Sequence, residues 1–418
     1  MSQRIFLIFY LIIIACSNTH ATTVGRVDFE GLAKTNPDYL ISLLDTKVND
    51  EYDSAIVAQD VFLLRNLNLF FEVHSEVSLL SDSTMSVVFV IREARYLYPI
   101  FSISGFDDQL KINAGFNQIN FLGRVQNFGA VYQYYDRHSF SVFHSQKRHS
   151  NKLTGHEASL SKYSTVEPLY FKDTVSSFNF DNYAASAGLF FWLNNYLRAS
   201  IGGQYMYERY EQIDSAILDY IMPFNFNKFQ VRTSLDYNKI EYVYELLEGV
   251  KYQLFAEYIG TNNFPDARFF KTTAQVSMYK MFGNNGNLAL NTKFGISTNN
   301  FSPFSPFVLD GFLNVRGVGN RVERGTAEWI INVEYRHTVY RNDYFSIQGV
   351  VFTDYGAIRA PGERLSTFFN QPETHLFSGG GIRFRLKKWY NTSLRVDYSV
   401  NVTNTKQQGL TFGFGQFF

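Results

Sequence analysis

An arginine set among glycines, with carboxylates expected to meet it, has the chemistry of an ionic clamp. The arginine is Arg316, in Val315-Arg316-Gly317-Val318-Gly319. Glycines let the backbone turn and approach closely, so a guanidinium carried between them can be placed deep among other groups. Two acidic partners follow from the sequence. Glu334 stands beside Tyr335 and Arg336, and Asp354 lies in Phe352-Thr353-Asp354-Tyr355-Gly356. Motifs for covalent chemistry are missing: there is no G-x-S-x-G elbow and no G-x-x-x-x-G-K-[ST] phosphate loop. The eight histidines are scattered, with no H-E-x-x-H or other metal-like cluster. No enzyme activity, metal or cofactor is expected.

The arginine sits in a long segment, residues 299–326, between two strongly alternating runs. In the second, residues 328–339, Glu328, Asn332, Glu334, Arg336 and Thr338 share one parity while Trp329, Ile331, Val333, Tyr335 and Val339 take the other. Side chains of a strand alternate faces, so one face is wet and the other suits lipid. The pattern recurs where Arg383 and Arg385 oppose Ile382, Phe384 and Leu386, and where Ser393, Arg395, Asp397, Ser399 and Asn401 oppose Leu394, Val396, Tyr398 and Val400. Ten-residue alternating runs without a convincing long helix are the signature of a transmembrane β-barrel, whose wet face here carries Glu334, Arg336, Asp354, Arg383 and Arg395.

Connection lengths add a direction. Asn194-Asn195, Arg341-Asn342 and Lys387-Lys388 are abrupt turns, whereas residues 211–225, 299–326, 358–373 and 402–408 are longer connections. Outer-membrane barrels have short inner turns and longer outer loops. Counting back from Phe418 as the end of a last strand gives sixteen strands and makes residues 299–326 the outer loop between strands eleven and twelve. The count is open over residues 153–182, where residues 167–172 read as a short strand of their own.

Composition agrees. The chain of 418 residues is 17% aromatic, and its 38 basic and 38 acidic residues balance, so no basic face argues for a nucleic-acid partner. A mean hydropathy of −0.16 fits strands that average lipid-facing and water-facing positions. Arg4 precedes the apolar run of residues 5–15, which is short for a membrane span and suited to a secretory signal; Thr19-His20-Ala21 offers a cleavage site, and the mature chain would begin at Thr22. The rival is a loose lipobox, Ile13-Ile14-Ala15-Cys16, around the single cysteine. Residues 22–94 read as a small α+β domain in the order β-α-α-β-β. Residues 24–30 form its first strand, Asn36-Pro37 starts a short helix, and Asp53 caps a second with Ile56, Val57, Val61 and Leu64 on one face. Residues 71–77 and 87–91 supply the last two strands.

These features together resemble the BamA-like family of outer-membrane pores, the bacterial surface antigen family. In that family a V-R-G-F/Y loop folds into the barrel and meets an F-x-D-x-G motif on its wall; here Val318 stands where the family has an aromatic. Residues 22–94 look like a single POTRA domain, by the strand order, Gly31 and the closing Glu93. Asn120-Phe121-Leu122-Gly123 resembles the family's N-L-x-G element, and Gly379-Gly380-Gly381-Ile382-Arg383 its G-x-G-x-R strand. The terminus resembles the assembly signal, with Thr411, Gly413 and Phe418 in register and Gln416 departing from it. The resemblance implies a signal peptide at 1–21, a periplasmic POTRA domain at 22–94 and a sixteen-stranded barrel at 95–418 in the outer membrane of a Gram-negative-type cell. It implies that Arg316 pairs with Asp354, with Glu334 as second acceptor, and that Phe352, Gly356, Gly379, Gly381 and Arg383 shape the wall. The function implied is an insertase or translocase. Its partners would be the outer-membrane bilayer, unfolded clients docked on a POTRA sheet edge, and periplasmic or lipoprotein accessory subunits. The alternative is a passive channel or surface barrel that keeps the architecture without transport.

Overall fold

The computed structural model describes residues 22–67, 69–81, 83–104, 110–171, 174–213, 224–243, 245–261, 268–300, 304–319, 323–366, 375–386 and 393–418. The expected signal segment at 1–21, the expected turn at Lys387-Lys388 and part of the long loop lie outside them.

The N-terminal unit comprises β1 (Thr23–Glu30), α1 (Pro37–Leu43), α2 (Ser54–Asn66), β2 (Phe70–Ser81) and β3 (Thr84–Glu93). Its helices begin where cap chemistry puts them. The Asn36 side chain accepts from Tyr39 N at 2.8 Å and that of Asp53 from Ala55 N at 2.7 Å, each relieving an orphan N–H of the first turn. The sheet order is β1-β3-β2, with β1 parallel and β2 antiparallel to β3. Leu40, Leu43 and Leu64 on the helices, Leu44 just after α1, and Val87 and Phe89 on the central strand close the core, all fully buried. The outer edge of β2 has no strand partner among the described residues, and Val77, Leu79 and Leu80 stand exposed along it.

The barrel opens with β4 (Leu97–Ser104), β5 (Lys111–Phe121), β6 (Gln126–Tyr135) and β7 (Arg137–Gln146). Longer strands follow: β8 (Thr154–Phe171), β9 (Thr174–Trp192), β10 (Leu197–Gln212) and β11 (Phe224–Val243). Next come β12 (Leu246–Thr261), β13 (Phe269–Phe282) and β14 (Gly286–Ser297). The long loop holds a small ribbon, β15 (Phe307–Leu309) with β16 (Glu323–Gly325). Then β17 (Ala327–Arg341), β18 (Phe345–Arg359), β19 (His375–Leu386), β20 (Ser393–Asn401) and β21 (Gln408–Phe414) complete the wall. Sixteen antiparallel strands close on themselves, and the arginine loop joins the eleventh to the twelfth. No helix among the described residues is long and apolar enough to cross a membrane. The two parities separate as alternation demands: Glu334, Arg336, Asp354 and Arg383 are fully buried in the lumen, whereas Val351 and Ile382 are each 60% exposed on the outside.

Three details differ from the sequence reading. Residues 167–171 are no separate strand but the end of β8, which pairs with β9 without interruption from Thr154↔Phe191 to Phe171↔Thr174. Pro168 is tolerated there because β7 pairs with β8 only as far as Lys162, so the missing N–H faces no ladder. The outer connection between β6 and β7 is a single residue, Asp136 at φ 56°, rather than a longer loop. Finally, the last strand stops at Phe414 and not at Phe418. Gly415, at φ 89°, turns the chain out of the ladder, and Phe417 and Phe418 enter the lumen.

The small domain is docked on the inner turns of the barrel. Asn120 donates Nδ2 to Thr35 Oγ1 at 2.9 Å, and Gly123 O accepts from Asn36 N at 2.9 Å, so the N-L-x-G-like turn is a docking element. Tyr39 donates its hydroxyl to Arg148 O at 2.6 Å, and Lys152 pairs with Asp45.

The loop arginine and its lumen cradle

The tip of the arginine loop is built from local hydrogen bonds. Asp310 Oδ1 accepts from the N–H of Phe312 at 2.8 Å and of Leu313 at 3.2 Å, while Asn314 Oδ1 accepts from Asp310 N at 2.9 Å. Such side-chain turns hold a loop without any strand. Gly311 N donates to Gly319 O at 2.5 Å across the tip. Gly317, at φ 86°, lies against Ser399 of β20, which a Cβ would strike. Val315 is fully buried with Leu309, Ile330, Ile358 and Phe377, and Val318 packs on the same cluster in the place of an aromatic. Gly356 leaves the space for this: a Cβ there would lie 2.6 Å from Val315 Cγ2.

Arg316 is thereby carried to the wall with no exposure to solvent. Its Nε and Nη2 donate to Asp354 Oδ2 and Oδ1 at 2.7 and 2.9 Å, a bidentate fork, and its own backbone N–H donates to Asp354 Oδ2 at 3.0 Å. Nη1 donates to Glu334 Oε2. Phe352 presents its ring 3.5 Å from the guanidinium carbon. Gly379 clears that ring, since a Cβ would lie 2.7 Å from Phe352 Cζ. Asn332 ties loop to wall, donating to both Asn314 O and Asp354 Oδ1 at 2.9 Å.

Further groups extend the network. Arg336 Nε donates to Glu334 Oε1 at 2.5 Å; Arg383 reaches Glu334 Oε2 at 3.4 Å and Asp397 Oδ1 at 2.5 Å; Asp397 Oδ2 stands 3.9 Å from Arg316. Gly381 makes room for the Asp397 carboxylate. Three guanidinium groups and three carboxylates, all with fully buried side chains, thus balance. A buried charge is tolerable only when paired in this way. Asp397 is the member that the sequence reading left unassigned, although its parity with Arg395 put it in the lumen and three inward arginines called for a third acid.

The remaining motif residues border this network, and Phe418 touches it: its main-chain oxygen accepts from Arg336 Nη2 at 3.5 Å and its ring lies 5.7 Å from that guanidinium carbon. Thr411 and Gly413 sit on β21 at the seam with β4, where only Thr411↔Ser104, Phe412↔Ile103 and Gly413↔Ser102 are paired, against eleven pairs between β14 and β17. Arg395, buried, stacks 4.9 Å from Phe417 and 5.6 Å from Phe312. Phe418 crosses to the opposite wall, against Ile240, Leu247 and Tyr279.

Residues 120–418 match the Omp85 superfamily domain. The chain belongs to the Omp85 superfamily. Residues 22–94 match the POTRA domain described as the surface antigen variable number repeat. Among solved structures, this Omp85 chain is similar to BamA from Haemophilus ducreyi lacking POTRA domains 1-3, at 13% identity and a TM-score of 0.55 over 94% of this chain and 84% of that one. It is similar to CdiB from Escherichia coli, at 11% identity and a TM-score of 0.64 over 94% and 76%, and to CdiB from Acinetobacter baumannii, at 12% identity and a TM-score of 0.61 over 94% and 74%. No curated protein matches the chain. Omp85 proteins form an outer-membrane insertion and transport family, non-enzymatic in kind. The chain is accordingly an outer-membrane barrel of a Gram-negative-type cell, with its single POTRA domain in the periplasm.

Proposed function

We propose that this Omp85 chain inserts or exports client proteins by receiving a client strand at the seam between β4 and β21, with the lumen loop clamped by Arg316 as part of that apparatus. The observation that carries the reading is the three-pair seam. Because β21 leaves the wall at Gly415, the periplasmic half of β4, from Leu97 to Phe101, has no partner on its seam side among the described residues. A row of unpaired N–H and C=O groups is a template for another strand, and main-chain pairing demands little of the client's sequence. The free edge of β2 in the POTRA domain offers a second such template on the same side of the membrane. A passive channel would need an open lumen, whereas this one is crossed by the arginine loop and the C-terminal tail.

The test is a seam lock. Ser102→Cys and Gly413→Cys, facing each other in register, should cross-link on oxidation and abolish client assembly, with recovery on reduction. Undiminished assembly by the locked protein would remove the seam from the mechanism. Depletion of the protein then separates the client classes: loss of many outer-membrane proteins marks a general assembly factor, and loss of one exported protein a dedicated translocase.

A further inference from the structure

We propose that the pocket between the POTRA helices and the barrel floor binds a phosphate-sized oxyanion. The pocket, a cavity of about 150 Å³, is walled on one side by Tyr39, Leu63 and Leu67 and on the other by strands and turns of the barrel. Into it come four cations, Lys147, Arg148, Arg198 and Lys251, against one carboxylate, Asp236. The chain as a whole carries 38 basic and 38 acidic residues, so this local excess of three positive charges is not a property of its composition.

The one carboxylate is shared. Asp236 stands 3.6 Å from Arg198 and also accepts from Gln253 Nε2 at 2.8 Å. Arg148 lies 3.7 Å over the Trp192 ring and donates to Lys152 O at 3.1 Å. The amines of Lys147 and Lys251 have no ion pair among the described residues, and Arg198 Nε is buried without a hydrogen-bond partner among them. Arg148 is buried, Arg198 and Lys251 are half-buried and Lys147 is exposed; cations that converge beside tyrosine, leucine and tryptophan repel one another, and an anion relieves that repulsion. Guanidinium forks suit the oxygens of a tetrahedral oxyanion, and ammonium groups add point charge. The volume equals roughly five waters, enough for a phosphate group and part of its hydration. Two sources carry that chemistry: free phosphate, and the headgroup of a phospholipid entering from the periplasmic leaflet. Either would bridge POTRA and barrel, since α1 and α2 form one wall.

The experiment uses the full chain folded in a neutral maltoside detergent. Inorganic phosphate should bind saturably by calorimetry. Lys147→Gln with Lys251→Gln should weaken it by about tenfold or more, while Lys147→Arg with Lys251→Arg retains it. Asp236→Asn, which removes the competing carboxylate, should tighten it. Native mass spectrometry of protein extracted from membranes identifies the source: a phospholipid carried by the wild type and lost from the Gln variant assigns the headgroup, and a lipid-free chain that binds phosphate assigns the free ion. A wild type that holds neither overturns the proposal, as does equal phosphate affinity in a Gln variant that migrates as a folded barrel. If the Gln variant does not fold, unchanged affinity in Asp236→Asn overturns it.

Discussion

The ring of Phe417 lies 4.4 Å from the guanidinium carbon of Arg316. The arginine of an outer loop is therefore held by two aromatic rings, one on the wall at Phe352 and one on the tail that extends the seam strand. Gly415 joins this tail to β21, so the seam strand and the loop meet at the contact between Phe417 and Arg316.

Phe417→Ala should loosen the loop without unfolding the barrel. A desolvated cation–π contact contributes about 2 kcal/mol, so the population of open loop should rise by about thirtyfold. Limited proteolysis of the detergent-folded protein measures this as faster cleavage within the loop. An unchanged cleavage rate would mean that the tail and the loop are independent.

Arg316→Ala and Asp354→Ala should each abolish client assembly while the unheated protein still migrates as a folded barrel. Removing one member of a buried pair leaves the other charge uncompensated, at about 3–5 kcal/mol. Since the two side chains form one fork, the double variant should be no worse than either single one. Strictly additive losses would show that the pair is not the unit that matters.

Helix starts and strand faces were legible in the sequence because each depends on neighbours in the chain. Asn36 and Asp53 satisfy N–H groups two or three residues on, and a strand's parity is a property of the strand alone. Arg316, Glu334 and Asp354 could be paired in advance only by combining a glycine-bounded arginine with two inward acids and a family resemblance. What escaped was set by distant partners. Gln416, Phe417 and Phe418 look like a continuing strand until Arg316, Arg336 and Arg395 are placed in the lumen to receive the rings. Likewise Pro168 looks like a break until it is known that β7 has already ended its pairing there.

The junction between POTRA and barrel should loosen in acid. Burial raises the pKa of Glu93, but hydrogen bonds from Tyr96 and Thr35 and from the backbone N–H of Thr35 and Ala33 outweigh it and hold the carboxyl below its ordinary value. A depressed carboxylate contributes stability above its unfolded pKa of about 4.3 and loses it as pH falls through the folded value. Thr35 is also the residue that receives Asn120 of the barrel, so the loss is felt at the docking contact. Glu93→Gln should therefore be less stable than the wild type at pH 7 and converge with it towards pH 3 in thermal unfolding. Parallel curves across that range would rule Glu93 out.

Glu334 and Asp354 share Arg316, yet their variants should fail differently. Asp354 forms its guanidinium contacts with Arg316, which the loop brings in, so Asp354→Asn releases a movable segment and leaves the wall intact. Glu334 also bonds Arg336 at 2.5 Å, on its own strand, and lies 3.4 Å from Arg383 on β19. Those two arginines cannot leave with the loop. In Glu334→Gln they remain buried, three guanidinium groups facing two carboxylates, and the repulsion is stored in the wall itself. The temperature at which the compact gel species converts to the unfolded one should accordingly fall in Glu334→Gln and stay near the wild-type value in Asp354→Asn. Adding Arg336→Gln to Glu334→Gln should recover part of the loss, because the second change restores the balance at two cations and two carboxylates. Equal transition temperatures for the two single variants would show that both acids serve only the loop.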